Sequence, residues 1–222
     1  MEETKIQNQI AIYMTNKKLC EFNDKLNVPP PENYAHMHAQ GEKQQNGRVY
    51  SSIGVVLQDY SNGTGNSTIR VTANMSPGTF AFLLAKASAG VENFEFSEEK
   101  IFGEPDENGL STVTKLWIKR ASFGQDKKPR NYPWCIIVEN GRAVKETTSI
   151  GGIHMKSGSY KKTNQVFVNI NDRDFFNLIY RTVRYIETWE LTFCPKVIRD
   201  AKKLLEEQRA AAQLGDRYAK EK

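Results

Sequence analysis

The sequence predicts an α+β fold: two tandem antiparallel-sheet-plus-helix repeats of ββββα type, packed as a pseudo-dimer, with an extra C-terminal helix. Three observations carry this. Val71-Thr-Ala-Asn-Met75 followed by Ser76-Pro-Gly-Thr-Phe80 returns 95 residues later as Val166-Phe-Val-Asn-Ile170 followed by Asn171-Asp-Arg-Asp-Phe175. Asn46-Gly-Arg48 and Ser52-Ile-Gly54 return as Asn140-Gly-Arg142 and Ser149-Ile-Gly151, at offsets of 94 and 97. Such ordered self-similarity is the mark of a repeated supersecondary unit. Finally, each copy passes from a two-residue apolar period to a helical one, as a strand followed by a helix does.

The elements follow in order. Ile10, Ile12 and Met14 alternate with Gln9, Ala11 and Tyr13, predicting a first strand with Ile12 and Met14 inward and Tyr13 outward. Residues 23–48 hold Pro29-Pro30-Pro31 and a glutamine-rich stretch, predicting a long loop. Val49–Leu57 and Ile69–Met75 read as strands. Ser76 as cap and Pro77 in the first turn start a helix. Residues 92–108 carry seven acids and one lysine, predicting an acidic linker at 92–111. Leu116 and Ile118 mark a strand, and Trp134–Glu139 another, with Asn140-Gly141 predicting a hairpin into Ala143-Val144-Lys145. After Val166–Ile170, Asn171 or Asp172 caps a long helix whose apolar stripe is Phe175, Ile179, Val183, Ile186 and Trp189. Beyond Pro195, Val197, Ile198, Ala201, Leu204 and Leu205 mark a charged amphipathic helix. The predicted divisions are 1–91 (first repeat), 92–111 (linker), 112–191 (second repeat) and 192–222 (helix and tail).

Composition limits the function classes. The 222 residues are 39% hydrophobic and 26% charged, enough for a packed core. The net charge is +5, and removing the −6 of residues 92–108 leaves +11 on the remainder. A basic balance favours polyanionic partners. No apolar run is long enough to span a bilayer, and the N-terminus lacks a secretory core segment. Cys20, Cys135 and Cys194 form neither a disulfide framework nor a metal-ligand pattern, so a reducing, cytoplasmic setting is expected. His36 and His38 read as solvated loop histidines. No phosphate-binding loop, nucleophile elbow or paired-carboxylate motif is present. The expectation is a non-enzyme without cofactor or metal.

Residues 112–165 carry eleven lysines and arginines against three acids, a balance of +8. The basic residues are Lys115, Lys119, Arg120, Lys127, Lys128, Arg130, Arg142, Lys145, Lys156, Lys161 and Lys162. With Leu116 and Ile118 facing the core, Lys115, Trp117 and Lys119 share the other face. There a ring takes a base and the ammonium groups take phosphates. The alternative is that Trp117 is covered by the C-terminal helix or by the other repeat. The first copy offers Tyr13 with Lys17 and Lys18, and Arg48 with Tyr50; the second adds Tyr132 and Trp134. Faces of this kind suit single strands, whose bases are free to stack.

Several strands followed by one helix, duplicated within one chain and bearing sheet-face aromatics, resembles the Whirly, Pur-alpha and positive-cofactor group of single-strand-binding folds. The resemblance covers residues 5–86 and 112–190 and rests on element order and duplication, with no signature motif to carry over individual residues. It implies two paired sheets with nucleic acid lying across them. The oligonucleotide-binding barrel is the rival fold. Residue types and resemblance together predict a module that binds single-stranded DNA, or RNA, with little sequence specificity. A mobile-element or phage accessory role would suit such a module. The alternative is an assembly factor acting through residues 195–214, as a homodimer or on a protein partner. No membrane partner is expected.

Overall fold

A computed structural model describes residues 7–45, 47–149 and 151–220, with side chains to residue 213. Asn46 and Ile150, members of the upstream repeat blocks, lie outside the described residues. The strands of the first sheet and its neighbours are β1 (Gln9–Met14), β2 (Lys18–Lys25), β3 (Gln40–Gln44), β4 (Gly47–Tyr50), β5 (Ser52–Asp59) and β6 (Ile69–Met75). Helix α1 (Pro77–Ser88) follows. Then come β7 (Asn93–Phe102), β8 (Ser111–Ala121), β9 (Trp134–Ala143), β10 (Lys145–Thr147), β11 (Ile153–Met155) and β12 (Lys161–Ile170). Helix α2 (Asp172–Lys220) ends the chain.

The chain divides into two compact units. The first comprises the residues up to Asp24 together with Ile53–Val183; the second comprises Lys25–Ser52 together with the chain from Arg184 onward.

The first unit holds two antiparallel four-stranded sheets, ordered β1-β2-β5-β6 and β7-β8-β9-β12. Each sheet is completed by the strand that precedes a helix. Both β6 and β12 alternate buried and open residues: Val71, Ala73 and Met75 in one, Val166, Val168 and Ile170 in the other. Helix α1 contributes Phe80, which meets Phe22 edge-on at 5.1 Å, and Leu83. The first part of α2 contributes Phe175, Leu178, Ile179 and Val183. Burying a side chain of this size removes about 1.5–3 kcal/mol worth of apolar surface from water, so these residues fix which sheet face becomes the core.

Asn171 starts α2 as a reciprocal cap. Its Oδ1 accepts the Asp174 N–H at 2.8 Å, and its side-chain amide donates to the Asp174 carboxylate at 2.8 Å. Ser76 precedes α1 as expected, but its hydroxyl meets the Thr79 hydroxyl at 2.8 Å and not a backbone N–H.

Several expectations are corrected. The acidic segment is not a linker: it supplies β7, an edge strand of the second sheet. The period of two is present in Phe94, Glu95, Phe96, Ser97, but the excess of acids masks it. Phe94 and Phe96 lean inward, while Glu95 and Glu99 lie opposite Lys119 and Lys115. The repeat boundaries at 91 and 112 therefore fall on either side of a sheet strand. Asn140-Gly141 is not a turn. β9 runs through it, and the Asn140 side chain substitutes for a strand neighbour. It accepts the Thr72 N–H at 2.9 Å and donates to the Thr72 carbonyl at 2.7 Å, tying β9 to the edge strand β6. β1 has the opposite phase: Ala11 is buried, whereas Ile12 and Met14 are open. Residues 23–48 are not a plain loop, since they carry the end of β2, a short 3₁₀ turn over Pro31–His36, and the β3–β4 hairpin. Finally, no helix begins afresh after residue 191. α2 runs unbroken through Pro195, whose missing N–H and ring clash ordinarily break a helix interior.

In the second unit, the segment from Lys25 to Ser52 packs on the distal half of α2. His38 stacks on Trp189 at 5.0 Å, and the Cys194 thiol faces the Met37 carbonyl.

Candidate nucleic-acid interface

β8 sets the geometry. Leu116 and Ile118 point into the core and are fully buried, so the intervening Lys115, Trp117 and Lys119 lie on the outer face of the second sheet. Antiparallel pairing then lays out rows across the strands. Trp117 stands opposite Ser97 of β7 and Ile137 of β9, and Ile137 stands opposite Phe167 of β12. The row Trp117–Ile137–Phe167 is thus an apolar stripe with a ring at each end. The two ring-bearing strands are two spacings apart, about 10 Å.

Charged residues flank the stripe on both sides. On one side the row reads Glu95, Lys119, Cys135, Asn169; on the other it reads Glu99, Lys115, Glu139, Gln165. Lys119 pairs with Glu95 and Lys115 with Glu99, each at 2.9 Å. The Lys119–Glu95 pair is open to solvent and worth about 0.2–1 kcal/mol, so a phosphate can compete for Lys119, while the Lys115 side chain is more shielded. Lys115 also lies 4.1 Å from the Tyr160 ring centroid. Cys135 lies between Lys119 and Asn169 on this face. Burial pushes its thiol above the usual range, against the opposing pull of Lys18, Lys119 and Arg130. Lys18 reaches this face from β2, its ammonium 3.6 Å from the Phe167 centroid.

Of the expected residues, the fold brings together Lys18, Lys115, Trp117, Lys119 and Arg130. Lys17 is exposed in the turn between β1 and β2. Lys127, Lys128 and Tyr132 are exposed with Arg130 in the loop joining β8 to β9. Lys127 has φ +59°, and the Arg130 N–H donates to the Ser122 carbonyl. Arg142, Lys145, Lys156, Lys161 and Lys162 lie toward the far end of β9 and β12 and in the β10–β11 hairpin. They are held there by Asp106 (Arg142), the Gly103 carbonyl (Lys145), Glu146 (Lys156) and Glu139 (Lys162), with Lys161 opposite Arg142. Arg48 and Tyr50 belong to β4 of the second unit. There Arg48 donates to the Gly41 carbonyl, and the Tyr50 ring covers Gly41 so closely that a Cβ would stand 2.7 Å from it.

Three expected residues are placed elsewhere by the core. Trp134 is 1% exposed, stacked at 3.8 Å on Phe175. Its indole N–H donates to Asp172 at 2.8 Å. It has the same parity as Ile136 and Val138, which fill the interior. Arg120 turns its side chain inward, 9% exposed, with its guanidinium on Asp172, Ser122 and the Val91 carbonyl. Tyr13 shares the Ala11 face of β1, opposite Cys20, and is half-buried; burial, with Asp174 and Tyr132 nearby, raises its hydroxyl above the usual range. The resulting face has no counterpart of Trp117 in the first sheet, whose outer side shows Ile12 and Met14.

Sequence reasoning missed Phe167 and Ile137. Val166, Val168 and Ile170 already imply that Phe167 faces out, so the signal was present. It also misplaced His38. The His38 Nδ1 lies 2.8 Å from the Ser51 hydroxyl and its Nε2 lies 3.0 Å from the Glu190 carboxylate. Ser51 Oγ in turn accepts the Asn27 N–H at 3.0 Å. This serine–histidine–carboxylate chain is tied up structurally. The adjacent groove of about 350 Å³ is lined by Met37, Glu190, Leu191, Cys194 and Ile198 among others, but by neither Ser51 nor His38.

Among the described residues, no three His, Cys, Asp or Glu side chains are arranged to hold a metal ion, and no helix is long and apolar enough to cross a membrane. Comparison with family models, curated proteins and solved structures gives no match.

Proposed function

We propose that this chain binds single-stranded nucleic acid, DNA favoured, with low sequence specificity, on the outer face of the β7-β8-β9-β12 sheet. The observation that carries the reading is the Trp117–Ile137–Phe167 stripe with Lys115 and Lys119 on either side of Trp117 and Lys18 over Phe167. Two rings offer π faces that every base can use, and Lys115, Lys119 and Arg130 take phosphates without reading sequence. Glu95 and Glu99 repel a polyanion from the β7 edge, so the strand passes over β8, β9 and β12. Four strands and a helix occur twice in order, as β1-β2-β5-β6-α1 and β7-β8-β9-β12-α2, once the β3–β4 and β10–β11 hairpins are set aside. That order supports reading the chain as a duplicated, pseudo-dimeric relative of the Whirly and Pur-alpha group acting inside the cell.

Fluorescence anisotropy with a labelled oligonucleotide tests the proposal. Binding at 50 mM salt that weakens steeply toward 300 mM is expected. Oligonucleotide should also protect Cys135 from maleimide, while Cys20 and Cys194 are buried in either case. Absence of binding at low salt, or full labelling of Cys135 at saturation, sinks the reading.

A second reading has its own observation. Leu191 is 78% exposed, and Phe193, Leu204 and Leu205 are also open along the distal half of α2. Apolar residues so exposed on one helix mark an assembly surface. Light scattering of the full chain against Leu191→Glu/Leu205→Glu tests it. An unchanged mass argues against self-association.

A further inference from the structure

The ring at the β12 end of the stripe is not a free-standing Phe. Lys18 crosses from β2 of the other sheet, and its ammonium lies 3.6 Å from the Phe167 centroid. The same ammonium donates to the Phe167 carbonyl at 2.8 Å and pairs with Asp59, at the end of β5, at 3.5 Å. Three contacts on one cation fix its position. Phe167 is 46% exposed, while the Lys18 side chain is 21% and Asp59 22%. With the shielded cation on one side of it, the ring still leaves much of its surface open to solvent. The electron-rich face of an aromatic ring attracts a cation, and flat contact with a second π system is available on the face opposite.

We propose that Lys18 is a positioning residue of the nucleic-acid face: together with Asp59 it clamps the Phe167 ring from beneath, so that a base of a single strand stacks on the upper side. The stacking platform is therefore composite. Its ring comes from the second sheet and its support from the first, and the two sheets must be docked for the platform to exist. Lys18 acts through Phe167, in contrast to Lys119 and Arg130, which meet phosphates.

This inference rests on the nucleic-acid reading above, and a double-mutant cycle on the full chain separates the two. The probe is a labelled oligothymidylate, read by anisotropy at 50 mM salt, with Trp117→Ala measured alongside. Stacking is worth about 1–3 kcal/mol per base, roughly 5- to 150-fold. Phe167→Ala should weaken binding within that range. Lys18→Met, which keeps the stem and removes the charge, should weaken it nearly as much. The double variant should be no weaker than Phe167→Ala alone, because the two residues act as one unit. Lys18→Arg, still a cation over the ring, should restore most of the affinity, which a loss of fold stability would not predict. The inference is overturned if Lys18→Met leaves affinity unchanged or raises it, or if the two losses multiply. A loss with Trp117→Ala in the same experiment then shows that the face stands while the clamp does not. A wild-type chain that binds no oligothymidylate removes both.

Discussion

Two tryptophans show how strand parity divides one residue type between the core and the outer sheet face. Trp117 and Trp134 both sit on strands of the second sheet, yet parity sends one outward and the other onto Phe175. Their substitutions should therefore separate. Trp134→Ala empties a fully buried site and should cost about 3–5 kcal/mol of stability, read from urea unfolding. Trp117→Ala, at a half-buried position on the outer sheet face, should cost less stability than Trp134→Ala, while oligonucleotide affinity falls roughly 5- to 150-fold. Asp172 carries a pH consequence. The Arg120 guanidinium bonded to it, and then the Trp134 indole N–H, hold its carboxyl below the ordinary value of 3.8 against the opposing cost of desolvation. A lowered carboxylate stabilises the fold above its unfolded pKa, and that stabilisation is lost as pH falls through the folded value. Asp172→Asn should lower stability at pH 7 and leave a shallower decline below about pH 4, measured by thermal unfolding across pH. An acid limb as steep as that of the wild type would contradict this.

At the scale of elements, edges and insertions matter most. β7 is an acidic edge strand, and edge strands avoid unwanted pairing by carrying charge. Its carboxylates also neutralise Lys115 and Lys119, so the face is less basic than the count over residues 112–165 implies. In the second unit, the segment from Lys25 to Ser52 meets α2 with His38 central, through Ser51, Glu190 and Trp189. Local opening free energy follows such local contacts. His38→Ala should raise amide exchange across residues 25–52 and the helix around Trp189, leaving β8 and β9 protected. Hydrogen-exchange mass spectrometry reads this directly, and unchanged exchange in residues 25–52 would show that other contacts hold the hairpin.

At the scale of the molecule, the net charge of +5 is a poor guide. Affinity for a single strand depends on the few cations that meet phosphate, with a logarithmic salt slope of about −0.7 per contact. Lys115, Lys119 and Arg130 as phosphate contacts give a slope of about −2. A titration series in chloride salt should return that value, and Lys119→Ala should reduce its magnitude by about 0.7. A slope near about −5.6 would instead require the distal cluster of Arg142, Lys145, Lys156, Lys161 and Lys162 as well.

Much of the fold was legible because periodicity is local. The alternation of Val71 to Met75 and of Val166 to Ile170, and the helices after them, need only the preference of apolar side chains for one face. The outward placement of Lys115, Trp117 and Lys119 follows from the same rule once Leu116 and Ile118 are buried. The sequence alone did not show which strand lies beside which. Asn140-Gly141 has the composition of a turn, but a neighbouring edge strand needed its amide. The acids of β7 have the composition of a linker, but lysines stood across from them. Phe167 and Lys18 are 149 residues apart, and no local pattern links them. Facing is set by burial along one strand and can be read residue by residue; contact between strands is set by how two sheets dock, and only the tertiary structure decides it.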